Sequence, residues 1–368
     1  MASIIDSVNY IFDTLCEAGG GASSRKKMKP ALPPKEELAC FKRLRFTKSE
    51  SVSILNGITV IHFQESITES DGSIRLIDYF AIKNILPSEF KSELCDTYFS
   101  LVDFSESFFV FLCPILNLRI KKDISSDFIS NELLFQQDDP LYSGHNLNEL
   151  IGYFEPVTIF RLEDLSTKFD KSFRSCAYYI VSSCERLITL PLAEVTISKL
   201  KGLFVANEKM PKDNIYLSLT SSHLKHCFLE LYRCIEWLYV IPRSRKLKGA
   251  IEYSKPAYEL AVHCVDNLSW RRKEEDSLSK LISDILKNDE GVSFKLLSCN
   301  FFKDIPPDVD NIAKHLYSFR NQFVHQFASV KEKDVSEDDL VDAIDLISDI
   351  IIHAYALYDV DIVVWAEN

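Results

Sequence analysis

The chain has 368 residues with a formal net charge of -12, 46% apolar and 26% charged, the mix of an ordinary globular protein with room for about two domains. No run of about 18 uncharged apolar residues occurs, and the most apolar stretch, Phe108 to Leu118, is interrupted by Pro114, so no membrane-spanning helix is expected. The acidic balance argues against a broad non-specific nucleic-acid surface, because sequence-independent affinity for phosphates comes from clustered lysine and arginine.

The start, Met1-Ala2-Ser3-Ile4-Ile5-Asp6, lacks the basic region and unbroken apolar run of a secretory signal, and the expectation is a cytoplasmic protein. Residues 1 to 17 read as an amphipathic helix, with Ile4, Ile5, Val8, Ile11, Phe12 and Leu15 on one side. Gly19 to Ser24 and the basic, proline-bearing Arg25 to Pro34 then read as a mobile linker, closing a leader of residues 1–37. The glycine run is not a phosphate loop, since Gly-x-x-x-x-Gly-Lys-Ser/Thr is absent.

A mixed α/β domain is expected over residues 38–218. Ile58 to Phe63 and Ile74 to Phe80 flank Ser70-Asp71-Gly72-Ser73, a hairpin with an Asp-Gly turn. Further strands are predicted at Phe108 to Cys113, Val157 to Arg161 and Ile215 to Leu219, and helices at Pro87 to Phe99 and Asn146 to Phe154. No repeat or catalytic spacing is visible there, and His62 and His145 are scattered. The domain reads as a sensor, scaffold or partner-binding unit, with a regulatory protein or small ligand as its partner.

From about residue 219 the pattern becomes helical, and the whole is an α+β chain ending in an antiparallel helical bundle. Helices are predicted at Leu224 to Ile241, Tyr253 to Leu268, Ser277 to Leu286, Asp308 to Phe327 and Ser336 to Tyr358. Ser336, followed by Glu337, Asp338 and Asp339, is a capping residue with carboxylates set against the helix dipole. The ten cysteines show no Cys-x-x-Cys. Several fall on apolar faces, where free cysteine behaves as a small hydrophobe, and neither a zinc site nor a cofactor is expected.

One helix breaks its own apolar stripe. Val309, Ile312, Ala313, Leu316, Phe323, Val324 and Phe327 recur at helical spacing, and the same stripe passes through Arg320. A guanidinium keeps its charge, so it must be paired, reach solvent or line a polar cleft. Asn321 and His325 follow, four apart and on one neighbouring face. Attack of a ribose 2′-hydroxyl on its phosphate needs a proton taken, a proton given and anionic oxygens held. Imidazole and guanidinium suit those tasks, with the Asn321 amide orienting His325 or holding an oxygen.

Arg320-Asn321-Gln322-Phe323-Val324-His325 resembles the Arg-polar-x-x-x-His signature of the HEPN superfamily, helical bundles that include many metal-independent ribonucleases of toxin and antiviral systems. The segment Leu224 to Tyr239 resembles the opening helix of such bundles, and the likeness covers about residues 221–358. It implies a metal-independent endoribonuclease acting on an RNA substrate, leaving a 2′,3′-cyclic phosphate, with Arg320, Asn321 and His325 as catalytic residues. Five helical positions rotate a side chain by about 140° away from the start, so Arg320 and His325 do not point at one atom from a regular helix. A helix distorted near Phe323, an arginine that wraps round, or two copies of the motif meeting across a two-fold axis would each close the site; the resemblance favours the last, a homodimer with a shared cleft. Local RNA contacts are assigned to Arg243, Arg245, Lys246 and Lys248 and to Arg271 and Arg272.

Two other readings compete. In a non-catalytic HEPN-like module that dimerises or binds RNA, Arg320 is an architectural ion-pair partner of Glu230, Glu236 or the aspartates Asp342, Asp345 and Asp349, and His325 caps the helix end. Those aspartates otherwise read as a solvated face and not a cation site. In the third reading the chain is a small-molecule-responsive regulator with its pocket in residues 38–218.

Overall fold

The computed structural model describes residues 3–21, 28–31, 33–46, 52–55, 58–91, 98–138, 140–163, 172–206, 209–268, 274–288, 300–302, 305–306, 308–324 and 335–362. The Asp71-Gly72 turn joins β3 (Ile58–Thr68) and β4 (Ile74–Lys83), which pair antiparallel from Thr68 opposite Ile74 to Val60 opposite Ile82. Gly72 takes φ +83°, a left-handed conformation that favours glycine, and the Asp71 carboxylate accepts the Ser73 amide at 2.9 Å. Around this hairpin β1 (Leu44–Arg45), β2 (Val52–Leu55), β5 (Phe99–Val102) and β6 (Val157–Leu162) complete a sheet ordered β1-β3-β4-β6-β5. β2 pairs with β3 off that path, and every pairing is antiparallel.

Chain contacts divide the molecule into Met1–Thr167 and Lys168–Asn368. In the first unit, α1 (Ile4–Ala18), α2 (Lys35–Arg43), α3 (Glu106–Ile115) and α4 (Leu147–Ile151) accompany the sheet. Ile11, Phe12 and Leu15 of α1 join Phe109 and Leu112 of α3 and Phe63 and Tyr79 of the sheet in one core. The amphipathic first helix thus docks on its own unit. The expected linker is anchored where it is described: Met28 is buried, His145 donates its amide to Lys29 O at 2.9 Å, and Ala31 donates to His145 O at 2.7 Å. Residues 22–27 and 32 lie outside the described residues.

The second unit holds α5 (Phe173–Val181), α6 (Glu194–Ala206), α7 (Lys212–Leu219), α8 (Leu224–Glu236), α9 (Ile241–Ala250) and α10 (Ala257–Leu268). It continues with α11 (Glu274–Asn288), α12 (Val309–Val324) and α13 (Glu337–Leu357). α6 and α7 belong with the second unit, where α7 packs on α8 and α6 on α13. The segment Ile215 to Leu219 is helical rather than a strand, as is Phe108 to Cys113. Of the helix expected from Pro87 to Phe99, Pro87–Glu89 is a short 3-10 turn and Phe99 opens β5, while residues 92–97 lie outside the described residues.

In α8, Leu224, Cys227, Phe228, Leu231, Tyr232 and Ile235 form the buried stripe expected of an amphipathic helix. It packs on α7 and α13, and Tyr355 Oη of α13 donates to Cys234 O at 3.1 Å. α13 buries the face read from its sequence, Leu340 to Tyr355, and Ser336 Oγ accepts the Asp339 amide at 3.0 Å as its N-cap.

Candidate functional site

α8 was expected to run on to Ile241, but the helix tightens into a 3-10 turn at Trp237–Val240 before α9 begins. Pro242, near the start of α9, has no N–H to donate to the carbonyl four residues back, so the helical hydrogen-bond ladder is interrupted there. Glu236 and Trp237 therefore stand at a helix end, beside a cleft of about 640 Å³ also bordered by Asn214, Arg233, Tyr258 and Val262. Trp237 is 42% exposed there.

Glu236 is where the motif arginine goes. Arg320 Nη2 donates to Glu236 Oε1 at 2.6 Å, and Nη1 donates to Asn321 Oδ1 at 3.0 Å. The guanidinium also lies over the Tyr232 ring at 5.7 Å, and Tyr232 Oη accepts from Tyr239 Oη at 2.7 Å. Side-chain exposure of 16% for Arg320 and 26% for Glu236 makes this a partly desolvated pair, stronger than an ion pair in open water. Burial raises the Glu236 carboxyl above the usual range; Arg320 pulls the other way, and the Glu274 carboxylate adds to the rise. Burial raises both tyrosine hydroxyls as well.

Of the other proposed carboxylates, Glu230, Asp345 and Asp349 have partners of their own. Glu230 accepts from Asn214 Nδ2 at 2.7 Å and pairs with Arg233. Lys199 bridges Asp345 at 2.9 Å and Asp349 at 3.1 Å. Asp349 is buried and so is not part of the solvated face its spacing suggested, whereas the Asp345 side chain stays 41% exposed. Asp342 is held above the ordinary aspartate range by burial and by Asp339, Asp338 and Asp345.

Arg320 and Asn321 are hydrogen-bonded to each other, and His325, which Asn321 was expected to orient, lies outside the described residues, as do Arg271 and Arg272. On α9, Arg243 approaches Asp276 at 3.7 Å, Arg245 and Lys248 approach the buried Asp361 at 3.3 and 3.9 Å, and Lys246 is exposed. Three of those four cations thus face carboxylates of their own unit. His62 in the sheet pairs with Asp78 at 2.8 Å, and His145 is buried. Among the described residues, no three His, Cys, Asp or Glu side chains converge as a metal-ligand set, and no helix is long and apolar enough to cross a membrane.

The Trp237 cleft was not legible beforehand, since its walls come from α7, α8 and α10 and meet only in the packed unit. The one local signal was Pro242. No protein-family model matches the chain, and no characterised protein or solved structure aligns with it significantly.

Proposed function

We propose that the chain is a HEPN-type endoribonuclease held at rest, with Glu236 occupying the anion-binding fork that Arg320 turns to an RNA phosphate on activation. The observation that carries this reading is the hydrogen-bonded group Glu236–Arg320–Asn321, of which Glu236 borders the cleft beside Trp237. A carboxylate and a phosphate present the same planar pair of acceptors to a guanidinium, so one can stand in for the other. The raised carboxyl of Glu236 makes its release less costly than that of an ordinary buried carboxylate, because protonation removes its charge.

In this scheme Arg320 holds the phosphoryl oxygens, Asn321 fixes the direction of the guanidinium and His325 transfers the proton. The mechanism asks for no divalent metal. A homodimer completes the site, the first unit regulates access through a partner or ligand, and the protein works in the cytoplasm, in a defence or toxin role suggested by the family resemblance alone. A purified full chain should cleave single-stranded RNA in the presence of EDTA, and Glu236→Gln should cleave faster, since the amide cannot compete as an anion.

A closed ion pair is also what a purely architectural arginine makes, which favours a non-catalytic module that dimerises or binds RNA as the second reading. Under it, Glu236→Gln alters stability and no RNA is cut by any variant.

A further inference from the structure

The other end of α8 carries a second cleft, of about 610 Å³, whose walls include Thr189, Ser222, His223, Lys225, His226 and Glu337. His223, Lys225 and His226 are all exposed. The two imidazoles are edge to face with ring centres 5.5 Å apart, close enough to donate to different oxygens of one phosphate. Lys225 Nζ stands 5.7 Å from the centre of the Phe323 ring. In a chain of net charge -12, this cleft brings a lysine and two of the eight histidines together, against one carboxylate, Glu337, among its described lining residues.

The motif helix runs toward this end. Arg320 meets Tyr232 and Glu236, whereas Phe323 meets Phe228 and Lys225, so α12 is antiparallel to α8 and its last described turn adjoins the cleft. Along α8, residues 225 and 236 are separated by roughly 16 Å, at 1.5 Å per residue. That separation makes the cleft distinct from the one beside Trp237. A metal is the other ligand that histidines attract, but among the described residues no third His, Cys, Asp or Glu converges with these two. Donors without a ligand set suit an anion.

We propose that this cleft binds a phosphate of single-stranded RNA, with Lys225 supplying the charge and His223 and His226 donating to its oxygens. The assignment to RNA rests on the ribonuclease reading above. Each charge-assisted hydrogen bond to a phosphate contributes enough that losing one weakens binding by about tenfold.

The test uses the full chain with histidine-labelled NMR and a 2′-O-methyl RNA oligonucleotide, which cannot be cleaved. The His223 and His226 ring resonances should move on titration, and Lys225→Gln and His226→Asn should each weaken binding about tenfold with unchanged circular dichroism. Unmoved histidine resonances together with unchanged affinity in both variants overturn the proposal, even if the wild type cuts RNA. Moved resonances and weakened variants in a protein that cuts no RNA uphold the cleft and sink the ribonuclease reading alone.

Discussion

At the scale of single residues, the pair Arg320–Glu236 decides most of what can be tested. Removing the guanidinium leaves a largely desolvated carboxylate, whose cost is limited because the carboxyl can take up a proton instead. Arg320→Ala should therefore lower unfolding stability by about 2 kcal/mol in urea denaturation at neutral pH, and a change below the resolution of the measurement would show that the pair is idle. Glu236 has the opposite sign. Its folded carboxyl is raised above its unfolded value, so its favourable contribution is present below the unfolded value and is lost as pH rises through the folded one. Glu236→Gln should thus gain stability relative to the wild type as pH rises out of the ordinary glutamate range. A relative loss over that rise would mean that attraction to Arg320 outweighs burial. An arginine on an apolar stripe was visible in the sequence, and Glu236 was among the carboxylates it pointed to. Choosing among them required the helix pairing, because Glu230 and Glu236 lie on one helix and differ only in what faces them.

Among the elements, α8 is the hub of the second unit, with α7 and α13 against it and clefts at both ends. Leu231 is fully buried at its centre, and Leu231→Ala should cost about 3 kcal/mol. Ser336→Ala, which removes only the cap of α13, should cost about 1 kcal/mol. Equal losses from the two would contradict the placement of the core. Helices with one apolar face, such as α1, α8, α12 and α13, were legible because their periodicity states which side is buried. Phe108 to Cys113 was not, since all six residues are buried and no face stands out. A short apolar run of that kind suits a strand or a buried helix equally. Ile215 to Leu219 misled for a related reason, having Ile215, Tyr216, Ser218 and Leu219 all inside.

For the whole molecule, the sequence shows where strands give way to helices but not which helices belong with the sheet. The residues of α5, α6 and α7 join the second unit through contacts as distant as Lys199 with Asp345, and such pairings have no local signature. If the first unit restrains the second, residues 168–368 alone should cleave RNA faster than the full chain, and equal rates would remove the gating idea. The central claim is metal-independent RNA cleavage by the Arg320–His325 motif. Its most direct test compares purified full-length wild type with His325→Ala on a fluorescently labelled single-stranded RNA in excess EDTA, after matching their circular dichroism. The wild type should cleave, leaving a 2′,3′-cyclic phosphate end, and the variant should not; abolition of wild-type cleavage by EDTA, or equal cleavage by the two proteins, would contradict metal-independent catalysis by the motif.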